Sequence, residues 1–334
     1  SWVVWTLTGG GAHVTDVSNV ALMALRTDDQ LHWHQPMLDA LRIPEAALPE
    51  VVDSTGIAAE ATVLDGAPPI AGILGDQQAS LLGQGCVAPG QAKITFGTGG
   101  MLDLCLEDRP AFATQGTGGT FPIVTRGRDG KRSFGLEAIM LAAGTNVEWL
   151  RDDLGLIATA AESHDVAVEC ESSDGLAYVP ALLGLGTPTW DYGARGMLIG
   201  ITRGSGRPQI VRAVLEGVAQ RAADLVEAAE ADGGVGIPVL RIDGGMSTNP
   251  TFVQALANAT GRAVEVSPEP EATTLGAAYA AGLAVGAWAG DDDIAATWSP
   301  SRVVEPDGSF DRERWADTLR RAERWFPELS AITF

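Results

Sequence analysis

The sequence predicts an α/β fold with room for two domains, and three observations carry that expectation. Apolar runs of strand length end in glycine-containing turns that open onto helical segments, at 70–84 and again at 239–259. Gln209 to Ala231 places Val211, Val214, Leu215, Val218, Ala222, Leu225 and Val226 at helical spacing. A chain of 334 residues, 46% hydrophobic, can bury a large core and fill two ordinary domains.

Taken in order, Trp2 to Leu7 reads as the end of a buried helix, stopped by Gly9-Gly10-Gly11. Val14 to Arg26 carries an apolar stripe behind the cap candidates Thr15 and Asp16, and Pro36 to Leu41 is a short helix. Val51 to Leu64 alternates weakly and turns at Asp65-Gly66 and Pro68-Pro69. Ile70 to Leu74 looks like a buried strand that hands over, through Gly75-Asp76-Gln77-Gln78, to a helix at Ala79–Gln84. Strands at 92–96, 101–106 and 132–136 follow, joined by the turns Gly97-Thr98-Gly99-Gly100 and Gly116-Thr117-Gly118-Gly119.

Ala138 to Asp153 reads as helical with Gly144 breaking into it, at about 1 kcal/mol relative to Ala. A glycine there serves close helix packing or a ligand against the backbone. Leu156 to Ser172 is a second helical stretch, Leu176 to Val179 a strand, and Leu182 to Gly196 a long loop that is functional or packed as an Ω-loop. The strand Val239–Ile242 runs into Asp243-Gly244-Gly245, and Asn249-Pro250 is a good N-cap and first residue for a helix through Ala259. Val264 to Val266 is a strand, Glu271 to Val285 a small-residue helix, and Arg312 to Trp325 the closing helix.

Composition narrows the function. A net charge of −21 and a pI near 4.4 argue against a nucleic-acid surface. Cys86, Cys105 and Cys170 form no CxxC pair, which fits reduced cytoplasmic thiols, and His13, His32, His34 and His164 show no zinc spacing. No apolar run reaches the roughly 18 residues of a membrane span, and the opening SWVVWTL is no signal peptide. The chain lacks an initiator methionine and starts inside an apolar run, so it reads as cut.

The chemistry concentrates in residues 70–105. Ligands of open α/β sheets sit at the carboxyl ends of strands. Asp76 stands at such an end, and Gly97 to Gly100 form a tight turn with little side chain to hold a ligand off its N–H groups. That pairing suggests a proton acceptor facing a phosphate cradle; an N-cap beside an ordinary hairpin is the alternative. The turn at Ile242 to Gly245 is of the same kind and opens onto a helix N-terminus suited to an anion or a nucleotide.

Five stretches carry a resemblance: LTGGGAHVTDVSN (7–19), GDQQASLLGQGCVAPGQAKITFGTGG (75–100), GLGTPTWDYGARG (184–196), GMLIGITRGSGRPQIVRAVLE (196–216) and DGGMSTNPTFVQ…ATTLGAAYAAGLAVGAW (243–288). Together they resemble the FGGY family of carbohydrate kinases, and within it the glycerol kinases. The resemblance implies an actin-like fold of two RNase H-like domains, with 1–86 the C-terminal part of the first, substrate-binding domain and 87–334 the second, nucleotide-binding domain. It implies ATP-dependent phosphorylation of glycerol to glycerol 3-phosphate with Mg²⁺, in a cytoplasmic homo-oligomer without membrane insertion.

Residue by residue, the resemblance makes Asp76 the general base and a substrate ligand, Gln77 a polyol ligand and Met101 a residue beside the polyol carbons. Thr98 and Gly99 fall to the ATP phosphates, and Gly144, Glu148, Gly245 and Asn249 to the nucleotide. Positioning and charge neutralisation are what phosphoryl transfer mainly needs, and an ionised carboxylate is a ready proton acceptor. Three departures stand out. Met101 replaces an aromatic residue, which opens another polyol or ketose as substrate. Glu148 replaces a Gln and adds a charge beside an anion. The family's N-terminal phosphate hairpin and its polyol-gripping Arg-Glu pair have no counterpart in residues 1–60, which raises the reading of a non-catalytic nucleotide-binding module. The chain alone is expected to be inactive or aggregation-prone, because half a domain leaves apolar surface uncovered.

Overall fold

The computed structural model describes residues 1–21, 23, 25, 26 and 32–332. The first quarter holds α1 (Trp2–Leu7), β1 (Val14–Asp16), α2 (Val17–Ala21), α3 (Gln35–Leu41), β2 (Glu50–Val52), β3 (Thr55–Glu60), β4 (Pro69–Gly72) and α4 (Asp76–Gly83). Then come β5 (Ala92–Phe96), β6 (Gly100–Leu106), β7 (Phe121–Arg128), β8 (Lys131–Met140), α5 (Gly144–Glu148), α6 (Glu162–Ala167), β9 (Ala177–Val179) and β10 (Met197–Ile199). The remainder is α7 (Arg207–Gly233), β11 (Val239–Asp243), α8 (Pro250–Thr260), β12 (Ala263–Val266), α9 (Ala272–Val285), α10 (Asp291–Ala296), β13 (Arg302–Val304), α11 (Arg312–Ala322) and α12 (Pro327–Ser330).

One nine-stranded sheet runs in the order β13-β12-β11-β5-β6-β8-β7-β3-β4. At its centre β11 pairs parallel with both β12 and β5, while β5, β6, β8 and β7 pair antiparallel in that spatial order. Because side chains alternate along a strand, each strand serves both faces. Ile94 and Phe96, Leu102 and Leu104, Leu136 and Ala138, and Leu240 and Ile242 point one way, into a single apolar core with the buried stripe of α7 and with α8. The other face lies under α4 and α9. There Gly83 and Gly276 let the two helices touch backbone to backbone; a Cβ on either would collide with Ala272 O or Ala79 O.

The structure departs from the sequence reading in several places. Residues 138–140 complete β8, so Gly144 starts a short helix rather than interrupting a long one, and Trp149–Asp153 follows as a π turn. Cross-strand pairing with β6 wins over the helical leaning of Ala138 and Met140. Of 156–172 only α6 is helical, β7 is an additional strand, and the closing helix stops at Ala322. The strand expected at 70–74 is an edge strand with only Ala71 buried, and in α1 only Val4 is buried while Trp2 is 77% exposed. Val14–Asp16 is a strand, and Asp16 caps α2 by accepting from Ser18 N and Asn19 N at 3.0 and 3.1 Å. Residues 22 and 24 of the expected stripe lie outside the described residues. The loop 182–196 is packed: Asp191 accepts from Gly193 N, Ala194 N, Arg324 N and Ser330 Oγ.

Candidate active site

Two strand-to-glycine turns meet at the carboxyl ends of the parallel neighbours β5 and β11. Gly244 adopts φ +84°, and a Cβ on it would strike the carbonyl of Phe96, so the turns touch directly. A third piece closes over the first turn. Gly144 N donates to Gly97 O at 2.9 Å and Ala143 N to Thr98 O at 2.8 Å. A Cβ on Gly144 would stand 2.6 Å from Gly97 O, so the glycine that starts α5 is required by packing against a turn.

These pieces enclose a cavity of about 780 Å³, within the size range of small-molecule and cofactor sites. Thr98, Gly144, Glu148, Gly245 and Asn249 all line it, drawn together from three separate stretches of sequence. A Cβ on Gly97 or Gly245 would meet nothing within 4 Å. Neither glycine is demanded by protein neighbours, and both leave the space a ligand needs to approach the backbone. Asn249 is already engaged: its Oδ1 caps α8 by accepting from Phe252 N at 3.1 Å, and its Nδ2 donates to Ser163 Oγ at 2.8 Å. Glu148 is exposed at the rim, near Arg151, whose guanidinium forks onto Asp152 at 2.6 and 2.7 Å. Sequence reading missed Arg151, Ser163 and His164 as lining residues, while Gly97 belongs to the turn it offered as a phosphate cradle. Ser163 and His164 come from α6, which carries no motif, and only folding brings it here.

Gly99 stands beside this cavity without lining it, and Asp76, Gln77 and Met101 lie outside it. The link runs through α4. Asp76 is its first residue, exposed, with Oδ1 accepting from Gln77 N at 2.8 Å. One turn on, Ser80 Oγ donates to Asp243 Oδ2 at 2.8 Å and lies 3.4 Å from Thr95 Oγ1. Asp243 and Thr95 precede the two glycine turns, so a single hydroxyl ties the helix bearing Asp76 to both. Met101 is half-buried on β6, opposite Thr95.

Beneath α4 the sheet is polar and buried. Lys93 and Asp103 are cross-strand partners with Nζ and Oδ2 2.7 Å apart and both side chains fully buried. The contact is an ion pair by distance, yet neither Asp103 oxygen receives a well-aligned hydrogen bond. Burial pushes the Asp103 carboxyl up while Lys93 pulls it back. Glu137, opposite Asp103 on β8, is pushed up to about 8, first by burial and then by the Asp103 charge. Lys93 Nζ also donates to Gln77 Oε1 at 2.5 Å and Thr95 Oγ1 at 3.0 Å.

The other Gly-Thr-Gly-Gly turn, 116–119, surrounds a carboxylate of the chain itself. Asp232 fills it, accepting from Thr117 Oγ1, Gly118 N, Thr120 N and Thr120 Oγ1 at 2.7–3.3 Å.

Comparison with known proteins agrees with this architecture. Residues 92–285 match the family model described as FGGY family of carbohydrate kinases, C-terminal domain, and residues 1–83 match the N-terminal domain. The chain is 42% identical to a glycerol kinase of Aromatoleum aromaticum and 40% identical to glycerol kinase 2 of Thermotoga maritima, over 97% of its own length and 66% of theirs. The crystal structure of Plasmodium falciparum glycerol kinase with ADP superposes with a TM-score of 0.85 at 31% identity, covering 100% of this chain and 66% of that one. A ligand-bound xylulose kinase from Lactobacillus acidophilus, 22% identical with a TM-score of 0.79 over 98% of this chain and 65% of that one, shares the fold. The chain thus spans 66% of the length of the glycerol kinases it matches.

Proposed function

The chain belongs to the FGGY family of carbohydrate kinases, and we propose that it serves the ATP-dependent phosphorylation of glycerol to glycerol 3-phosphate. The observation that carries this reading is the Ser80 bridge. It fixes the carboxylate-bearing end of α4 one helical turn from the ends of both strands whose glycine turns border the cavity. In this reading 1–86 supplies the polyol side and 87–334 the nucleotide side.

Asp76 takes the proton of the attacking hydroxyl, and Gln77, held at its Oε1 by Lys93, turns its amide N–H₂ toward the polyol. ATP occupies the cavity, with Thr98 and the backbone of 97–99 on its phosphates and Gly144, Glu148, Gly245 and Asn249 along the rest. The open Cβ positions of Gly97 and Gly245 support that fit. Bound Mg²⁺ would neutralise phosphate charge. No three His, Cys, Asp or Glu side chains gather as a metal cage among the described residues. A Mg²⁺ carried on phosphates needs only one or two carboxylates, and Asp243 offers a buried Oδ1 that accepts no hydrogen bond.

Free Cys86, Cys105 and Cys170 support a reducing, cytoplasmic setting. Among the described residues no helix is long and apolar enough to cross a membrane. A homo-oligomer remains part of the proposal, to be read by sedimentation.

A coupled ADP-release assay on the full-length protein with glycerol, xylulose and gluconate tests the reading. Turnover of glycerol is expected, and turnover of another substrate with none of glycerol would sink the assignment. Asp76→Asn should lower kcat by about 10²–10⁴-fold, the usual worth of a positioned base; near-wild-type turnover would remove Asp76 from that role. Met101 favours a second reading, a polyol or ketose other than glycerol, because a flexible thioether on β6 replaces an aromatic wall.

A further inference from the structure

The face of the sheet under α4 carries a row of charges that the reaction itself does not use. The register aligns Glu137 (β8) with Asp103 (β6), Asp103 with Lys93 (β5), Lys93 with Arg241 (β11) and Arg241 with Glu265 (β12). Five adjacent strands thus present the sequence acid, acid, base, base, acid along one line. The alternating residues beside them point into the apolar core, so the row is confined to one face.

The two cations at the middle of the row are the ones that reach α4. Lys93 Nζ donates to the side chain of Gln77 at the start of the helix, and Arg241 Nη1 donates to Gln84 O just past its end at 2.5 Å. Their outer neighbours hold them in place: Asp103 lies 2.7 Å from Lys93, and Glu265 3.3 Å from Arg241 while also accepting from Trp298 Nε1 at 2.6 Å. A buried lysine and a largely buried arginine side by side would repel, so the flanking carboxylates are needed if both are to stay charged and aimed at the helix.

We propose that this row is a seat that fixes the position of α4, with Lys93 a positioning residue that acts through Gln77 on the polyol side of the site. Lys93 grips the residue next to Asp76 and Arg241 grips the far end. Together they set both the tilt of the helix and its advance toward the glycine turns. This inference rests on the polyol-kinase reading for its effect on substrate, but the seat itself is a property of the fold.

The test uses Lys93→Met/Asp103→Leu, which removes a buried pair together and leaves no unpaired charge. Hydrogen exchange reports the seat without any substrate. Amides of residues 79–84 should exchange about tenfold faster or more, while those in the middle of α7 keep their protection. Steady-state kinetics of the full-length protein reports the consequence. The KM for the polyol should rise about tenfold with a smaller change in kcat, and in a Gln77→Ala background the same replacement should add nothing to KM. Unchanged exchange across 79–84 would overturn the seat, and so would an additive KM effect in the Gln77→Ala background. Faster exchange confined to α4, in a protein whose wild type phosphorylates no polyol, would uphold the seat and overturn the polyol reading instead.

Discussion

The tetrapeptide Gly-Thr-Gly-Gly occurs twice, at 97–100 and at 116–119, in opposite surroundings. At 116–119 a carboxylate of the protein's own, Asp232, takes the place an anion would occupy and consumes the turn's donors. At 97–100 the neighbouring segment 143–144 donates to the turn's carbonyls instead, and the turn borders a cavity. The same four residues are a plugged loop in one place and part of an open cavity's border in the other. What a glycine turn can do chemically is decided by which of its backbone groups the tertiary structure has already spent, and the tetrapeptide does not encode that.

The sharpest way to break this contrast is to put side chains on the two turns. Gly119 has φ +79°, and a Cβ there would stand 2.5 Å from Pro188 O, whereas a Cβ on Gly97 would meet open space. Gly119→Val should cost about 2–4 kcal/mol of stability, while Gly97→Val should melt close to wild type. Thermal unfolding of the pair checks this, and equal melting points would erase the distinction. Next in size is Asp232→Ala. Removing an acceptor shared by four donors should cost about 2 kcal/mol. Burial alone would raise the Asp232 carboxyl, but the bonds from Thr120, Gly118 and Thr117 hold it below the usual range. A lowered pKa stabilises the fold above the unfolded value and loses that contribution as pH falls through the folded value. Melting temperatures between pH 5 and 3 should therefore fall less steeply for Asp232→Asn than for wild type.

The remaining effect is one of pH and concerns the polar row. Glu137, at about 8, holds a proton that the unfolded chain gives up near 4.3, so its contribution to stability is lost as pH rises from the lower value through the higher. Glu137→Gln should flatten the decline in melting temperature between pH 5 and 9. An unchanged slope would mean that Glu137 titrates as an exposed carboxylate does.

Much of this architecture could be read locally and the decisive parts could not. The strands at 92–96 and 239–242 and the helix at 209–231 show their periods in the sequence, and the structure has them as β5, β11 and α7. Residues 138–140 lean to helix locally, and pairing with β6, a contact made by residues far away in sequence, overrules that leaning. The cavity residues Ser163 and His164 and the capture of one glycine turn by Asp232 depend on the packing of α6 and α7, for which a single sequence offers no period or spacing. The charged row is of the same kind. Each of its members looks like an ordinary polar residue of an alternating strand, and only the inter-strand register aligns them.

The claim on which the rest depends is that the open turn, with Gly144 and the Gly245–Asn249 segment, is a nucleotide site. Calorimetric titration of the chain with ADP tests it most directly, comparing wild type, Gly245→Val and Asp232→Ala. One ADP should bind to wild type and to Asp232→Ala with similar affinity, and Gly245→Val, folded to the same melting point, should bind about 100-fold more weakly. Binding to Gly245→Val at wild-type strength would contradict the account, as would its loss in a folded Asp232→Ala.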